Sequence, residues 1–287
     1  MKDGLPEIPE HQVSGALRDI YEDIKLVLGV PMVNLIFRHI ATLPGCLEWV
    51  WGTLRPSYAS GEISRLGNDL LTNLALPAHP LLSSFALRAA GVTRTDEKTI
   101  SGILAVYNRA NAMNVIALHT LLSLMGEGAP NFRSPVSDNP PSKRESPGGE
   151  PTEKIPPMLS LEEMDESARG LVFELMSLRP KGNVPVMASL YRHLARWPGY
   201  LALVLTVLHP LGANGTLERL VEKTRSLAEA EAKILAAYPA TSSVPLAVDE
   251  ERRASLEKSL RFFAGDLIVE MIPIGKLLLQ TLPASAV

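Results

Sequence analysis

The sequence predicts an all-α protein made of two homologous helical halves that pack as a pseudo-dimer. Three observations predict it. Apolar residues recur at three- and four-residue steps over most of the chain, with no convincing run of strand-type alternation. A long segment occurs twice at a constant offset. A proline-rich stretch separates the two copies.

The repeated segment sets the first elements. Val30 to Pro56 aligns without gaps on Val184 to Pro210, 154 residues further on, with 11 of 27 positions identical. The identities include Val30/Val184, Pro31/Pro185, Arg38/Arg192, His39/His193, Pro44/Pro198, Gly45/Gly199 and Pro56/Pro210, and the offset continues through Gly61/Gly215 and Arg65/Arg219. In each copy Val-Pro is expected to open a helix, because proline at an early position gives up an N–H that has no partner anyway. Met32, Leu35, Ile36 and Ile40, and then Val186, Leu190 and Leu194, carry the apolar face. Pro-Gly punctuates, and a second helix is expected to run until Pro56 or Pro210 stops it. Further helical patterns cover 63–76, 97–125, 159–178, 217–237 and 249–282. The stretch 128–157 holds eight of the 23 prolines and few apolar groups, so it is read as a linker. It divides the chain into a first helical repeat (1–127) and a second (158–287).

Composition narrows the function. With 28 Lys+Arg against 31 Asp+Glu, the net charge of −3 argues against a nucleic-acid partner. One cysteine, Cys46, leaves neither a disulfide framework nor a cysteine metal cluster. The six histidines form no metal-binding helical pair, so neither a metal nor a cofactor is expected. No apolar run reaches the roughly 20 residues of a membrane span, and the default expectation is a cytoplasmic protein.

Candidate chemistry lies in uncharged amides. Asn108, Asn111 and Asn114 recur every three residues in YNRANAMNVIALHTLL, an otherwise apolar helix pattern. A buried amide without a partner is costly, so the array suggests the wall of a polar pocket. Asn183 stands just before the second Val-Pro, either as a helix cap or beside an anion site. The two Arg-His pairs are read as structural, because both halves carry them. Cys46, matched by Tyr200, is read as a packing position.

The duplicated V-P-x-x-x-x-[FY]-R-x-[IL]-A-x-x-P pattern and the YNRANAMN segment resemble the group I 2-haloacid dehalogenases, the DehI-type family. The resemblance covers most of the chain outside the linker. It implies a fused pseudo-dimer with the active site between the halves, where an aspartate activates water that displaces halide without an ester intermediate. It places the aspartate at Asn183, the polar helix position at Asn108 or Asn111, and the first-helix lining at Met32, Leu35 and Phe37. A neutral amide cannot take a proton from water. Three readings follow. Another base, Glu270 or Asp266, serves displacement. Alternatively, an amine of the substrate is the nucleophile and closes an aziridine ring while expelling halide or sulfate, with Asn114 among the residues that hold the substrate. In the third reading the cleft binds without catalysis. The expected ligand is a small organic anion, with a homodimer or a partner subunit completing the cleft.

Overall fold

A helix needs acceptors for its first N–H groups, and several helices of this chain obtain one from a side chain placed just ahead of the first turn. Ser83 Oγ accepts from Ala86 N at 3.1 Å, Asp165 Oδ1 from Ala168 N at 2.6 Å and Asp249 Oδ1 from Arg252 N at 2.8 Å. A computed structural model describes residues 5–126, 155–179, 186–237 and 246–283. The described residues are helical with no strand. Most of the proposed linker, and Asn183 with the second Val-Pro, lie outside them.

The first half holds α1 (Gly15–Leu28), α2 (Leu35–Ile40), α3 (Cys46–Ala59), α4 (Glu62–Asn73), α5 (Ser84–Ala89) and α6 (Arg94–Gly126). The second half holds α7 (Glu166–Ser177), α8 (Ser189–Leu194), α9 (Pro198–Ala213), α10 (Thr216–Ala236), α11 (Glu250–Phe262) and α12 (Ile268–Thr281). A π-helical turn, Phe263–Leu267, joins the last two. The helices α2 and α8 have equal length and stand at the offset of the sequence repeat, as do the starts of α4 and α10. Gly61 and Gly215 sit at the bends before α4 and α10 with φ of 81° and 73°. That left-handed conformation favours glycine, which explains their identity.

The 33-residue α6 is the axis of the molecule, about 50 Å long at 1.5 Å per residue. It packs against α4 of its own half and against α10, α11 and α12 of the other. One apolar cluster therefore runs through both halves. Two approaches are close, and the one at Gly199, against backbone, dictates glycine. A Cβ on Gly199 would lie 1.9 Å from the Ala90 carbonyl oxygen, and one on Gly275 would lie 2.3 Å from Asn108 Oδ1.

Three expectations from periodicity are corrected. Val-Pro does not open the first helix, which begins at Leu35. Residues ahead of it spend their backbone groups elsewhere, Val33 N donating to Glu10 Oε1 at 2.8 Å and Val33 O accepting from Arg38. Pro56 and Pro210 do not stop their helices but lie inside α3 and α9. Each removes one donor late in its helix, and the chain continues for three more residues. The helices α1 and α5 were not anticipated, and residues 249–282 form two helices around the π-helical turn rather than one. Among the described residues no single helix is long and apolar enough to cross a membrane. Only α9 and α10 taken together pass, and they bend by 83°.

Candidate active site

Four segments of the chain wall a cavity of about 40 Å³. A water-sized group takes roughly 10–15 Å³ on such a measure, so the space suits an acid of a few heavy atoms. The entry to α2 contributes Met32, Val33, Asn34, Leu35, Ile36 and Arg38, and the start of α8 contributes Ala188, Ser189 and Leu190. Asn34, Leu35 and Ile36 match Ala188, Ser189 and Leu190 at the repeat offset. Tyr107, Asn111 and Asn114 come from α6, and Phe263, Leu267, Ile268 and Met271 from the turn between α11 and α12. The two long walls differ in chemistry. Amides and a phenol face the cavity from α6, whereas the opposite wall is wholly apolar.

Helix geometry explains which of the expected residues arrive. Positions 107, 111 and 114 fall within about 60° of one another at 100° per residue, so all three face one way. Asn108 is turned about 100° from Tyr107. It therefore points at Gly275 on α12 and not into the cavity, and its buried Oδ1 has no hydrogen-bond partner. Met32 and Leu35 line the cavity as expected, but Phe37 does not. Phe37 is buried edge-on against Trp51, with ring centroids 6.1 Å apart.

The carboxylates expected as bases are elsewhere. Glu270, beside Met271 but on another face of α12, is buried in an ion pair with Arg179, Nε to Oε2 at 2.5 Å. A carboxylate held by a guanidinium is stabilised in its charged form and is a poor proton acceptor. Asp266 is half-buried in the π-helical turn, whose Phe263 and Leu267 reach the cavity while Asp266 does not. Asn183 lies outside the described residues. No carboxylate is among the described residues that line the cavity.

The Arg-His pairs share part of their surroundings. Ile8 N donates to Arg38 O at 3.0 Å, and Leu159 N donates to Arg192 O at 3.4 Å. His39 Nδ1 lies 2.7 Å from Pro6 O, and His193 hydrogen-bonds the Pro156 carbonyl. Arg38 pairs with Glu7, Nε to Oε2 at 2.6 Å, and its Nη1 donates to Val33 O, as the structural reading expects, while its buried side chain also lines the cavity. His193 was also read as structural, and it lies one residue away from the cavity. Its Nδ1 is 2.8 Å from the hydroxyl of Tyr107. Burial pushes His193 down to about 4, with Arg196, Arg192 and Arg38 acting in the same direction against the Pro156 carbonyl. Burial likewise raises the Cys46 thiol, as suits a packing position. The described residues contain no group of three or more His, Cys, Asp or Glu that could hold a metal ion.

Sequence reasoning missed Tyr107, Ser189 and the apolar wall. Tyr107 lies four residues before Asn111, so the helical period that singled out the asparagines could have found it. Ser189 has no polar counterpart in the first copy, where Leu35 stands, and nothing in the repeat marks it.

No family model matches the chain. It is 26% identical over 244 residues to a configuration-inverting 2-haloacid dehalogenase of Alcaligenes xylosoxydans xylosoxydans, covering 84% of this chain and 79% of that protein. It is 22% identical to an (R)-2-haloacid dehalogenase of Rhizobium sp. (strain NHG3), over 71% of this chain and 77% of the relative. Among solved structures, a D-2-haloacid dehalogenase mutant in complex with D-2-CPA aligns over 100% of this chain and 97% of its own, with a TM-score of 0.76 at 18% identity. A D-2-haloacid dehalogenase in complex with L-LA aligns with a TM-score of 0.73 at 19% identity, over 98% of this chain and 97% of that one. The resemblance read from the repeated motif and the asparagine helix is borne out, as is the all-α class.

Proposed function

We propose that the protein displaces a halide or a comparable leaving group at a saturated carbon of a small carboxylic or amino acid, in the cavity between α2, α6, α8 and the turn joining α11 to α12. The division of that cavity into a polar and an apolar wall carries the reading. A 2-substituted acid has the same division, with a carboxylate at one end and a carbon–halogen bond at the other. Arg38, the formally charged member of the described lining, adds a cation beside the polar wall. The matched positions contributed by α2 and α8 support a duplicated scaffold with its site between the halves. The dehalogenase relatives support the reaction class.

Asn183 and the lack of a carboxylate among the described lining residues favour a nucleophile carried by the substrate. An amine on the neighbouring carbon attacks, its N–C bond forms as the carbon–halogen bond breaks, and the electron pair leaves with the halide. The ammonium proton passes to a base or to water, and an aziridine acid results. Positioning supplies most of the acceleration in such an intramolecular step.

The test is chloride release from both enantiomers of 2-chloropropionate and from 3-amino-2-chloropropionate. Release from the amino acid with ring closure supports the cyclising form. Release from 2-chloropropionate alone, with lactate formed, makes the protein a hydrolytic dehalogenase. No release from any of them, and no thermal shift with propionate, leaves a cleft without this catalysis.

A further inference from the structure

Ser189 and Tyr107 both line the cavity, and His193 lies behind them with 1% of its surface exposed. Ser189 stands beside the phenol of Tyr107 at the cavity, where burial raises the phenol's pKa and the Ser189 hydroxyl draws it down. The Tyr107 hydroxyl is 2.8 Å from His193 Nδ1, with the rings edge-on and their centroids 5.6 Å apart. Met158 Sδ is a second acceptor for the phenol, but at 3.8 Å a thioether competes poorly with an imidazole nitrogen.

One tautomer of His193 sets the directions of these contacts. The relay uses the neutral imidazole with its proton on Nε2, since Nδ1 is the nitrogen that meets the phenol. Nδ1 of the neutral ring is then an acceptor and takes the phenol proton. The phenol oxygen is left to accept from Ser189. A chain of donors thus runs one way, from the cavity to a buried imidazole.

We propose that Ser189, Tyr107 and His193 form a proton relay that carries the proton of the attacking nucleophile out of the cavity, with His193 Nδ1 as its terminal acceptor. The inference rests on the displacement chemistry proposed above. As the new bond to carbon forms and the leaving group departs with its electron pair, the nucleophile passes a proton to Ser189 Oγ. Ser189 passes its own to Tyr107 and Tyr107 its own to His193, so neither hydroxyl becomes an anion. The groups facing His193 are Tyr107, Arg38, Arg192, Arg196 and the Pro156 carbonyl. Its value of about 4 matches a free aspartate, about 3.9, so the relay has the basicity that Asn183 lacks.

The experiment compares the wild type with Tyr107→Phe and Ser189→Ala, using the chloro acids above, with chloride release followed from low to neutral pH. Thermal melts and propionate binding verify that each variant folds and binds. The relay predicts a kcat lower by about a hundredfold in both variants, as for loss of a general base, with binding unchanged. It also predicts a wild-type rate that falls with a midpoint near pH 4 as His193 is protonated, a limb that both variants lose. Variants that keep wild-type rates and the same limb overturn the relay and leave the displacement reading intact. A wild type that releases chloride from none of the acids overturns both.

Discussion

The hydroxyl of Tyr58 on α3 donates to Asn114 Oδ1 on α6 at 2.8 Å, deep in the core. The bond decides which way the amide faces. With Oδ1 engaged, the Nδ2 group is left as a buried donor without a partner, on a residue that lines the cavity. Burial raises the Tyr58 phenol well above its ordinary value, so it stays protonated and remains the donor. A buried donor of this kind calls for an acceptor, which a departing halide or a carboxylate supplies. The expected result for Tyr58→Phe is a loss of about 1–3 kcal/mol of stability, together with weaker halide inhibition, because the amide can turn over. Urea melts and bromide inhibition of turnover check it. Unchanged values for both would break the link between the two residues.

Glu270 makes a separate case, because its pairing with Arg179 predicts a structural role. Glu270→Ala leaves a buried guanidinium without its counter-ion, an effect of about 3–5 kcal/mol. Glu270→Gln keeps a hydrogen-bond acceptor and is expected to be destabilised less, while its folded fraction turns over at a rate near the wild type. If Glu270→Gln folds normally but loses turnover with its binding intact, Glu270 is the base and the ion-pair argument is wrong.

Much of this fold was legible in the sequence, and the reason is redundancy. The repeat reads the same helix pair twice, and every long helix has an apolar period set by burial on one side. The short segments were not legible, because their boundaries depend on distant partners. The entry to α2 is held extended by Glu10, 23 residues away and outside any local pattern, and by Arg38, whose bond back to Val33 O the repeat does not reveal. The same holds for the site. Asn111 and Asn114 were found because amides are conspicuous in an apolar helix, whereas Tyr107, Leu267 and Met271 look like any core residue until the opposing helix is placed. Asn108 was included because three-residue spacing was followed without its angular drift of about 60° per step.

His193 makes the protein acid-sensitive in a defined window. Its folded value of about 4 lies below the ordinary 6.5, so between these values the unfolded chain binds a proton that the folded chain does not. Stability therefore falls as pH drops from about 6.5 to about 4, and the contribution is fully lost below the folded value. Denaturant midpoints across that range check it. In His193→Gln the corresponding part of the slope is expected to vanish, and a slope unchanged by this substitution would show that other groups produce it.

Gly199 tests the packing of the two halves. Its Cα meets the Ala90 carbonyl so closely that any Cβ collides with backbone rather than with a movable side chain. Gly199→Ala must separate α5 from α9, and a loss of a few kcal/mol is expected, in the range of overpacked cores at about 1–3 kcal/mol or more. Thermal melts decide it, with Gly52→Ala as the control. Gly52 lies inside α3 and has open space at its Cβ position, so alanine there is expected to be neutral or stabilising. A Gly199→Ala protein as stable as the wild type would mean that the approach is looser than the geometry requires.

Leu267 fixes the size of the acid that fits. It is buried at the apolar wall, held there by the wider π-helical turn, and its side chain bounds the space that a substrate's carbon chain would occupy. Leu267→Ala should cost about 2–5 kcal/mol as a large-to-small change and leave room for two or three more carbons. The added space should shift preference from 2-chloropropionate toward 2-chlorobutyrate and 2-chlorovalerate. A methylene in an apolar pocket is worth about 1–3 kcal/mol, so the ratio of kcat/KM values is expected to change by about tenfold or more. Competition between the acids in one reaction measures that ratio directly and is insensitive to how much of the variant is folded. If the ratio stays put while stability drops, Leu267 supports the fold without touching the substrate, and the chain of the acid must run along the α2 side, past Met32 and Leu35.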